Sequence, residues 1–493
     1  MRALLCLAIL AACGGGGGDT GDDGGGGGGD DGGSGGSGDT FGGTFRHGMN
    51  DGHVNANFTD NQGGALGAAA GADSNRIKLP EYFLDQWGDD VRVDAAMSYQ
   101  ADGMSNLVCL LIGPSAAHST DPTGDNLEGF IPKNLYEPIF LDDGSVNPDN
   151  YWGAYVAETV TTYKPYVRIW EIWNEPDWTP DYATTQGWAT QAPTVADLPR
   201  FNGSIFDYIR MLRVSYAVVK HVDPTAQVAL GGIGYPTFLD AILRYTDNPD
   251  GGAVTDAFPS GGGAYFDVLN FHYYPLYTPG NSDAGYAGLI AQHDAMAAEL
   301  AKFDVTGKTF NATETGAPRV QITGFPGGPD YARNYLLKAM LGAHLAGMIG
   351  LDWFLLSDTA TDDGGTDPYS YMGLYHDIAP LSDPSQAVLT DTGTAYATLG
   401  SLLGGATVDE TATSALALPS GVLGGAFHTK SGSTVVALWA STSSGESATA
   451  TYSLSASGPV TATAWDHSTT SLDPSSGSVS LSLTSTPQFF ALP

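Results

Sequence analysis

Between Thr44 and Leu403 the chain alternates short apolar, β-branched runs with longer segments whose apolar residues recur at helical spacing. Alternation on this scale specifies a parallel sheet, because parallel strands are joined by long crossovers, usually helices, that pack back on the sheet. Eight strands can be placed, at 44–49, 75–80, 107–112, 167 onward, 227–231, 266–271, 309–313 and 348–354. Helices are expected over 150–163, where Trp152, Tyr155, Val156, Val160 and Tyr163 share one face before Pro165, and over 205–222, closed by Asp223-Pro224. Further helices are expected over about 287–303, 330–346 and 395–403. Eight such strands close a sheet, so the expected fold is α/β, a (β/α)8 TIM barrel over residues 44–404. From Gly405 the texture changes to Ser, Thr, Ala and Gly, with alternating runs such as Thr434-Val435-Val436-Ala437-Leu438-Trp439 and Val479-Ser480-Leu481-Ser482-Leu483. Short strands at this spacing predict a C-terminal all-β sandwich domain over 405–493.

The N-terminus reads as an export segment. One arginine, Arg2, precedes an apolar run that ends Leu10-Ala11-Ala12-Cys13, too short to span a bilayer. Residues 14–43 form a Gly/Asp/Ser tract with six Asp and no large apolar residue before Phe41, which reads as a flexible, charge-extended tether. A β-roll calcium site is the alternative for such a tract, but its nonapeptide pattern is missing. With 19 Lys+Arg against 54 Asp+Glu, the formal charge is −35. That surface repels phosphate backbones, so no nucleic-acid partner is expected, and neutral glycans are compatible with it. Cys109 lies inside an apolar run and reads as a small buried hydrophobe rather than a reactive thiol.

The chemistry is expected at two strand ends. The run Val167-Arg168-Ile169-Trp170-Glu171-Ile172-Trp173 is closed by Asn174-Glu175-Pro176, and Lys308-Thr309-Phe310-Asn311-Ala312-Thr313 is followed by Glu314-Thr315-Gly316. Barrels of this kind carry their reactive groups at the C-terminal ends of the strands, and two glutamates there form the carboxylate pair that glycoside hydrolysis uses. Two solvated loop glutamates are the plain alternative. Glu171, four residues before Glu175, is expected on the same side but deeper, paired with an arginine. Trp173, Asp177, Trp178 and Tyr273 serve equally as rim contacts or as packing. The chain has no Walker-type phosphate loop, no Gly-x-Ser-x-Gly elbow between a strand and a helix, and no Cys/His cluster with zinc spacing. The Asp-rich segments 247–256 and 358–367 lack calcium-loop spacing and read as solvated loops.

Trp173-Asn174-Glu175-Pro176 together with Thr313-Glu314-Thr315-Gly316 resembles the paired motifs of glycoside hydrolase clan A, the retaining (β/α)8-barrel glycosidases, with similarity to families 5 and 39. The resemblance covers roughly residues 44–404. It implies Glu175 as acid/base, Glu314 as nucleophile and Asn174 as a ligand of the sugar 2-hydroxyl. Phe271-His272-Tyr273-Tyr274-Pro275 matches the clan's His-x-Tyr pattern, which implies Tyr274 as the orienter of the nucleophile and His272 in the sugar site. A packed aromatic and a structural histidine are their alternatives. Trp353 is implied as the sugar-stacking platform and Arg76 as the strand-two arginine beside the nucleophile. The family 5 histidine at the end of strand three is not matched, since only His118 follows there. Leu10-Ala11-Ala12-Cys13 resembles a bacterial lipobox. That implies cleavage before Cys13, lipidation of its thiol, and a place in the bacterial cell envelope, anchored on the outer surface or the periplasmic face; an ordinary signal peptide and secretion are the alternative. The expectation is a retaining glycosidase, monomeric, with a β-linked carbohydrate substrate and no metal or cofactor. A non-catalytic glycan-binding lipoprotein on the same scaffold is the rival.

Overall fold

The computed structural model describes residues 44–50, 57–360 and 364–493. The expected signal segment (1–13), with its lipidation at Cys13, and the tether (14–43) lie outside the described residues. The strands β1 (Arg46–Asn50), β2 (Ser74–Lys78), β3 (Leu107–Leu111), β4 (Val167–Ile172), β5 (Gln227–Leu230), β6 (Val268–His272), β7 (Thr309–Thr315) and β8 (Gly350–Trp353) pair in chain order, all parallel, and β8 returns to β1 to close the barrel. β3 is buried along its whole length, as a strand covered on both faces must be. Inside the barrel Val108, Ile169, Ala229 and Val268 form a small apolar layer, and Arg76, Glu171, Asn270 and Thr313 form a buried polar layer joined by hydrogen bonds.

The helix Ile205–Val222 begins at a capping box, in which Ser204 and Asp207 exchange side-chain-to-backbone hydrogen bonds, and ends before Pro224. The helix after β6 starts at Ser282, five residues earlier than its periodicity suggests. Asn281 caps it by accepting from the Ala284 N–H at 2.9 Å. Gly285 and Gly288 lower the helix propensity of that first stretch, and close packing accompanies them: a Cβ on Gly288 would sit 1.8 Å from the Tyr273 hydroxyl and one on Gly285 3.0 Å from Pro275. The helices Asp60–Ala69, Glu81–Trp87, Val93–Ala101 and Pro236–Arg244 complete the barrel's outer layer and were not distinguished in the sequence.

Beyond the helix Asp391–Leu403 come eight antiparallel strands: β9 (Thr407–Val408), β10 (Val422–His428), β11 (Thr434–Ala440), β12 (Thr449–Ser455), β13 (Val460–Thr463), β14 (Thr469–Leu472), β15 (Ser478–Thr484) and β16 (Gln488–Ala491). They form a six-stranded sheet, β14-β13-β16-β11-β10-β9, with a β12-β15 ribbon. The core between the sheets is separate, but Phe427, Val435, Ala437, Trp439 and Phe489 belong to the barrel's core. The sheet covers the helix Pro329–Leu345, which is buried from Tyr331 to His344 on every face. Its Lys338 is fully buried and satisfied by Asp283 (2.9 Å) and the Ser282 hydroxyl (2.8 Å). Glu446 of the sandwich accepts from the Ser282 N–H (2.7 Å) and from Asn334 (2.8 Å), so the two parts share one ionic seam.

The two Asp-rich segments are loops whose described residues 249–251 and 364–366 are exposed, as expected, but their leading aspartates depart from that expectation: Asp247 is buried and ion-paired with Arg210 and Arg213, and Asp358 is buried and paired with Arg319 at 2.5 Å. Cys109 is buried, and burial pushes its thiol well above the ordinary range. Among the described residues no helix is long and apolar enough to cross a membrane.

Candidate active site

The C-terminal mouth of the barrel brings Glu175, Glu314, Asn174, His272, Tyr274 and Arg76 together. Arg76 is the hub. Its Nε and Nη2 fork onto Glu171 at 2.7 and 2.8 Å, Nη2 also donates to Asn174 Oδ1 at 2.8 Å, and Nη1 donates to Glu314 Oε1 at 2.6 Å and to Asn50 Oδ1 at 3.2 Å. Burial alone would lower this guanidinium's pKa, but the Glu171 and Glu314 carboxylates outweigh it and raise the pKa further. Glu171 therefore sits as the sequence suggested, deep and paired with an arginine.

Glu314 reaches the mouth through a fault in the sheet. Thr313 already points inward, since its hydroxyl accepts from Asn270 at 2.7 Å and contacts His272 Nε2 at 3.0 Å. Strict alternation would send the next residue outward. The β6–β7 register shifts between Asn270↔Asn311 and His272↔Glu314, and that irregularity turns Glu314 in as well. Tyr274 then donates to Glu314 Oε2 at 2.7 Å. Burial, followed by the Glu314 charge, pushes the Tyr274 hydroxyl well above its ordinary range, so it stays a donor.

Glu175 reaches the same mouth along a different path. β4 ends at Ile172, and Trp173 (φ 68°) and Glu175 (φ 46°) adopt left-handed backbone that is uncommon without glycine. The turn is held by the buried Trp173 ring against Trp152 and Phe201, and by Asp177, which accepts the Gly234 and Tyr235 N–H groups at 2.8 and 2.9 Å. Trp173 and Asp177 are thus packing and anchoring residues rather than rim contacts. Burial raises the Asp177 pKa to about 7 against the lowering effect of those two donors. Gly232 (φ +60°) clears space for the His272 ring, where a Cβ would come within 2.0 Å of Nε2.

His272 Nδ1 lies 3.1 Å from Glu175 Oε1 and 3.7 Å from Glu314 Oε2. Burial lowers the imidazole pKa, but the Glu314 and Glu175 carboxylates reverse that and raise it overall. Arg200, which the sequence reading passed over, donates from Nη1 to Glu175 Oε2 at 2.6 Å and lies over Trp178, 4.1 Å from the ring centroid. Burial would raise the Glu175 carboxyl's pKa, but His272, Arg200 and Arg76 together hold it below the usual carboxylate range. The available signal was scarcity: 19 cationic side chains in 493 residues make an arginine at the end of the long loop 179–200 conspicuous.

Trp353 does not join the cluster. It has no exposed surface, packs against Tyr335 and donates its indole N–H to the Met372 carbonyl at 2.7 Å, so it offers no face to a sugar. The inward positions here are Asp352 on β8 and Phe354 just past its end, and half-buried Phe354 meets Tyr274 edge-on at 6.1 Å. His118 is likewise engaged elsewhere, with Glu81 at 2.6 Å and stacked on Tyr151. Glu175, His272 and Glu314 each bring one donor atom within 4.8 Å of the others. Arg76, Arg200 and Tyr274 already hydrogen-bond three of the four oxygens of these two carboxylates.

No protein-family model and no curated protein sequence matches the chain. Among solved structures the chain is similar to a family 39 glycoside hydrolase from the gut symbiont Bacteroides cellulosilyticus, at 16% identity and TM-score 0.60, over 92% of this chain and 82% of that one. It is also similar to the catalytic domain of the family 30 xylanase C of Talaromyces cellulolyticus, at 14% identity and TM-score 0.55, over 92% and 97% of the two chains. A monomeric β-xylosidase from Caulobacter crescentus aligns at 14% identity and TM-score 0.52, over 91% and 95%. At these identities the likeness is one of fold, and its coverage exceeds what the barrel alone could supply, so it takes in the sandwich.

Proposed function

We propose that this chain is a retaining glycoside hydrolase acting on β-linked oligo- or polysaccharides. The observation that carries the reading is the spacing of the two carboxylates. One oxygen of Glu175 and one oxygen of Glu314 lie within 4.8 Å of each other, and so short an approach of one oxygen pair supports the closer, retaining arrangement. An inverting site holds its carboxyls about 6.5–9.5 Å apart to admit a water, whereas a retaining site holds them at about 5–5.5 Å. Glu314, fixed by Arg76 and Tyr274, attacks the anomeric carbon; the bond to the leaving oxygen breaks, and that oxygen takes a proton from Glu175. In the second half, Glu175 removes a proton from water, which attacks the same carbon and returns the electron pair to Glu314. Asn174 presents Oδ1 to Arg76, which leaves its amide hydrogens for a sugar hydroxyl. The names of the structural neighbours, two of them a xylanase and a β-xylosidase, support a carbohydrate substrate.

The test is a screen of the purified chain against aryl β-glycosides and a panel of β-glucan, xylan and mannan, beside Glu314→Gln. Turnover that disappears in the variant supports the carboxylate pair and names the sugar. Glycan binding retained equally by both proteins, with no turnover by either, favours the binding-protein reading. The Leu10–Cys13 motif supports a lipid anchor in the cell envelope. Labelling with a radioactive fatty acid, lost in Cys13→Ser, is the outcome expected there.

A further inference from the structure

One contact in the site opposes the role given to Glu175. A general acid must offer a proton to the leaving oxygen, yet Glu175 Oε2 accepts from Arg200 at 2.6 Å, and a guanidinium has donors only. Oε1 is turned to His272 at 3.1 Å. The two arginines of the site differ in how they are held. Arg76 is 6% exposed and fixed by Glu171, Asn174 and Asn50 as well as Glu314, whereas the Arg200 side chain is 37% exposed and rests on Trp178. The backbone of Arg200 is anchored, because its carbonyl accepts the Trp173 indole N–H at 3.2 Å. A fixed backbone with a half-exposed side chain set over an aromatic ring, 4.1 Å from its centroid, is an arm that can swing. A sugar ring stacks on the same kind of surface that the guanidinium now covers.

We propose that Arg200 is a substrate-released latch on Glu175: in the free enzyme it holds the carboxylate unprotonated, and the leaving-group sugar, settling on Trp178, displaces it so that Glu175 takes up a proton from water before cleavage. The proposal rests on the acid/base reading of Glu175. Arg200 is a positioning residue in it, acting through Glu175. The groups facing Glu175 are His272 from β6, Arg76 from β2, Glu314 from β7, and Arg200 and Asp177 from the segment after β4, with Tyr274 beyond Glu314. Removing Arg200 takes one cation from that set, so the Glu175 carboxyl titrates higher in the free enzyme. Because opening the latch opposes binding, its removal also spares the substrate that work.

The experiment compares the full chain with Arg200→Met and Arg200→Lys, on an aryl β-glycoside with a poor leaving group, between about pH 3 and 9. The basic limb of kcat/KM reports Glu175 in the free enzyme, and that of kcat reports it in the complex. In the wild type the kcat/KM limb should lie below the kcat limb. In Arg200→Met it should rise by about one pH unit to meet the kcat limb, with KM unchanged or lower. Arg200→Lys, which keeps the charge, should retain the low limb. A dinitrophenyl glycoside, which needs no proton at its leaving oxygen, should show no such change. An Arg200→Met limb superimposed on that of the wild type, or a KM raised several-fold with both limbs in place, overturns the latch and leaves Arg200 a substrate-binding residue. Absence of turnover in the wild type, or turnover that survives Glu314→Gln, removes the glycosidase reading and the latch with it. Turnover that needs Glu314, with an unmoved limb, removes the latch alone.

Discussion

The two strand-end glutamates are alike in sequence context and unlike in their surroundings. Glu314 is 13% exposed and held on both oxygens by neutral-or-cationic donors that are themselves held, Arg76 by Glu171 and Tyr274 by edge-on packing against Phe354 and Tyr369. Glu175 is 21% exposed, sits on a left-handed turn, and shares its oxygens between an imidazole and a half-exposed arginine. A nucleophile has to stay unprotonated and in one position until it attacks, and a rigid double clamp provides both. An acid/base has to lose and regain a proton, which requires partners that can change state or move. The contrast separates a fixed carboxylate from a switchable one, and the proposed division of roles rests on that difference in rigidity.

Breaking the fixed side should have the largest effect. Glu314→Gln is expected to reduce turnover by on the order of 10^4-fold or more, on every substrate whatever its leaving group, because no covalent intermediate can form. Steady-state rates on paired good and poor leaving groups check this. Glu175→Gln should lower kcat/KM by about 10^2–10^4-fold on a poor leaving group and far less on a dinitrophenyl glycoside. Equal losses on both would erase the proposed division of labour. Tyr274→Phe removes one charge-assisted hydrogen bond from Glu314 and leaves Arg76 in place. A loss of about 10–100-fold in kcat is expected, without a change in which substrates are accepted.

The barrel was legible because its signals are local and repeated: β3 is a continuous apolar run, and the helix Ile205–Val222 carries its cap and its stop in the sequence. The pair Glu175 and Glu314 was legible from strand ends alone. What decides their orientation was not. The register shift in β7 turns two successive residues, Thr313 and Glu314, into the barrel, and no alternation pattern announces it. The β7–β8 pairing carries a similar irregularity between Ala312 and Thr315. Both shifts put the extra residue in β7, while β8 keeps its alternation: Asp352 faces in, Trp353 faces out, and Phe354, just past the strand end, occupies the mouth. Arg200 escaped because its partner lies 25 residues away across a loop. Long-range pairing of a loop residue leaves no periodic trace. Likewise the burial of the helix Pro329–Leu345 on all faces depends on a sheet from the far end of the chain.

The smallest expected effect concerns how the switchable side is anchored. Asp177 ties the turn carrying Glu175 to the segment after β5, and burial lifts its pKa from the ordinary carboxylate range to about 7. Folding thus raises this group's affinity for its proton. Its stabilisation is complete below about pH 4 and is lost as the pH rises through 7, because an ionised Asp177 bears the desolvation penalty only in the folded state. Asp177→Asn cannot ionise, so it loses part of the two-donor anchor but none of its stability to pH through this position. The melting temperature of the wild type relative to Asp177→Asn should fall by a few degrees between about pH 5 and pH 8. The Glu314 side offers no equivalent, since its clamp contains an arginine and a tyrosine that do not titrate in that window. A wild-type-minus-variant difference that stays constant across the range would show Asp177 ionised throughout, and the turn beneath Glu175 would then be as indifferent to pH as the clamp around Glu314.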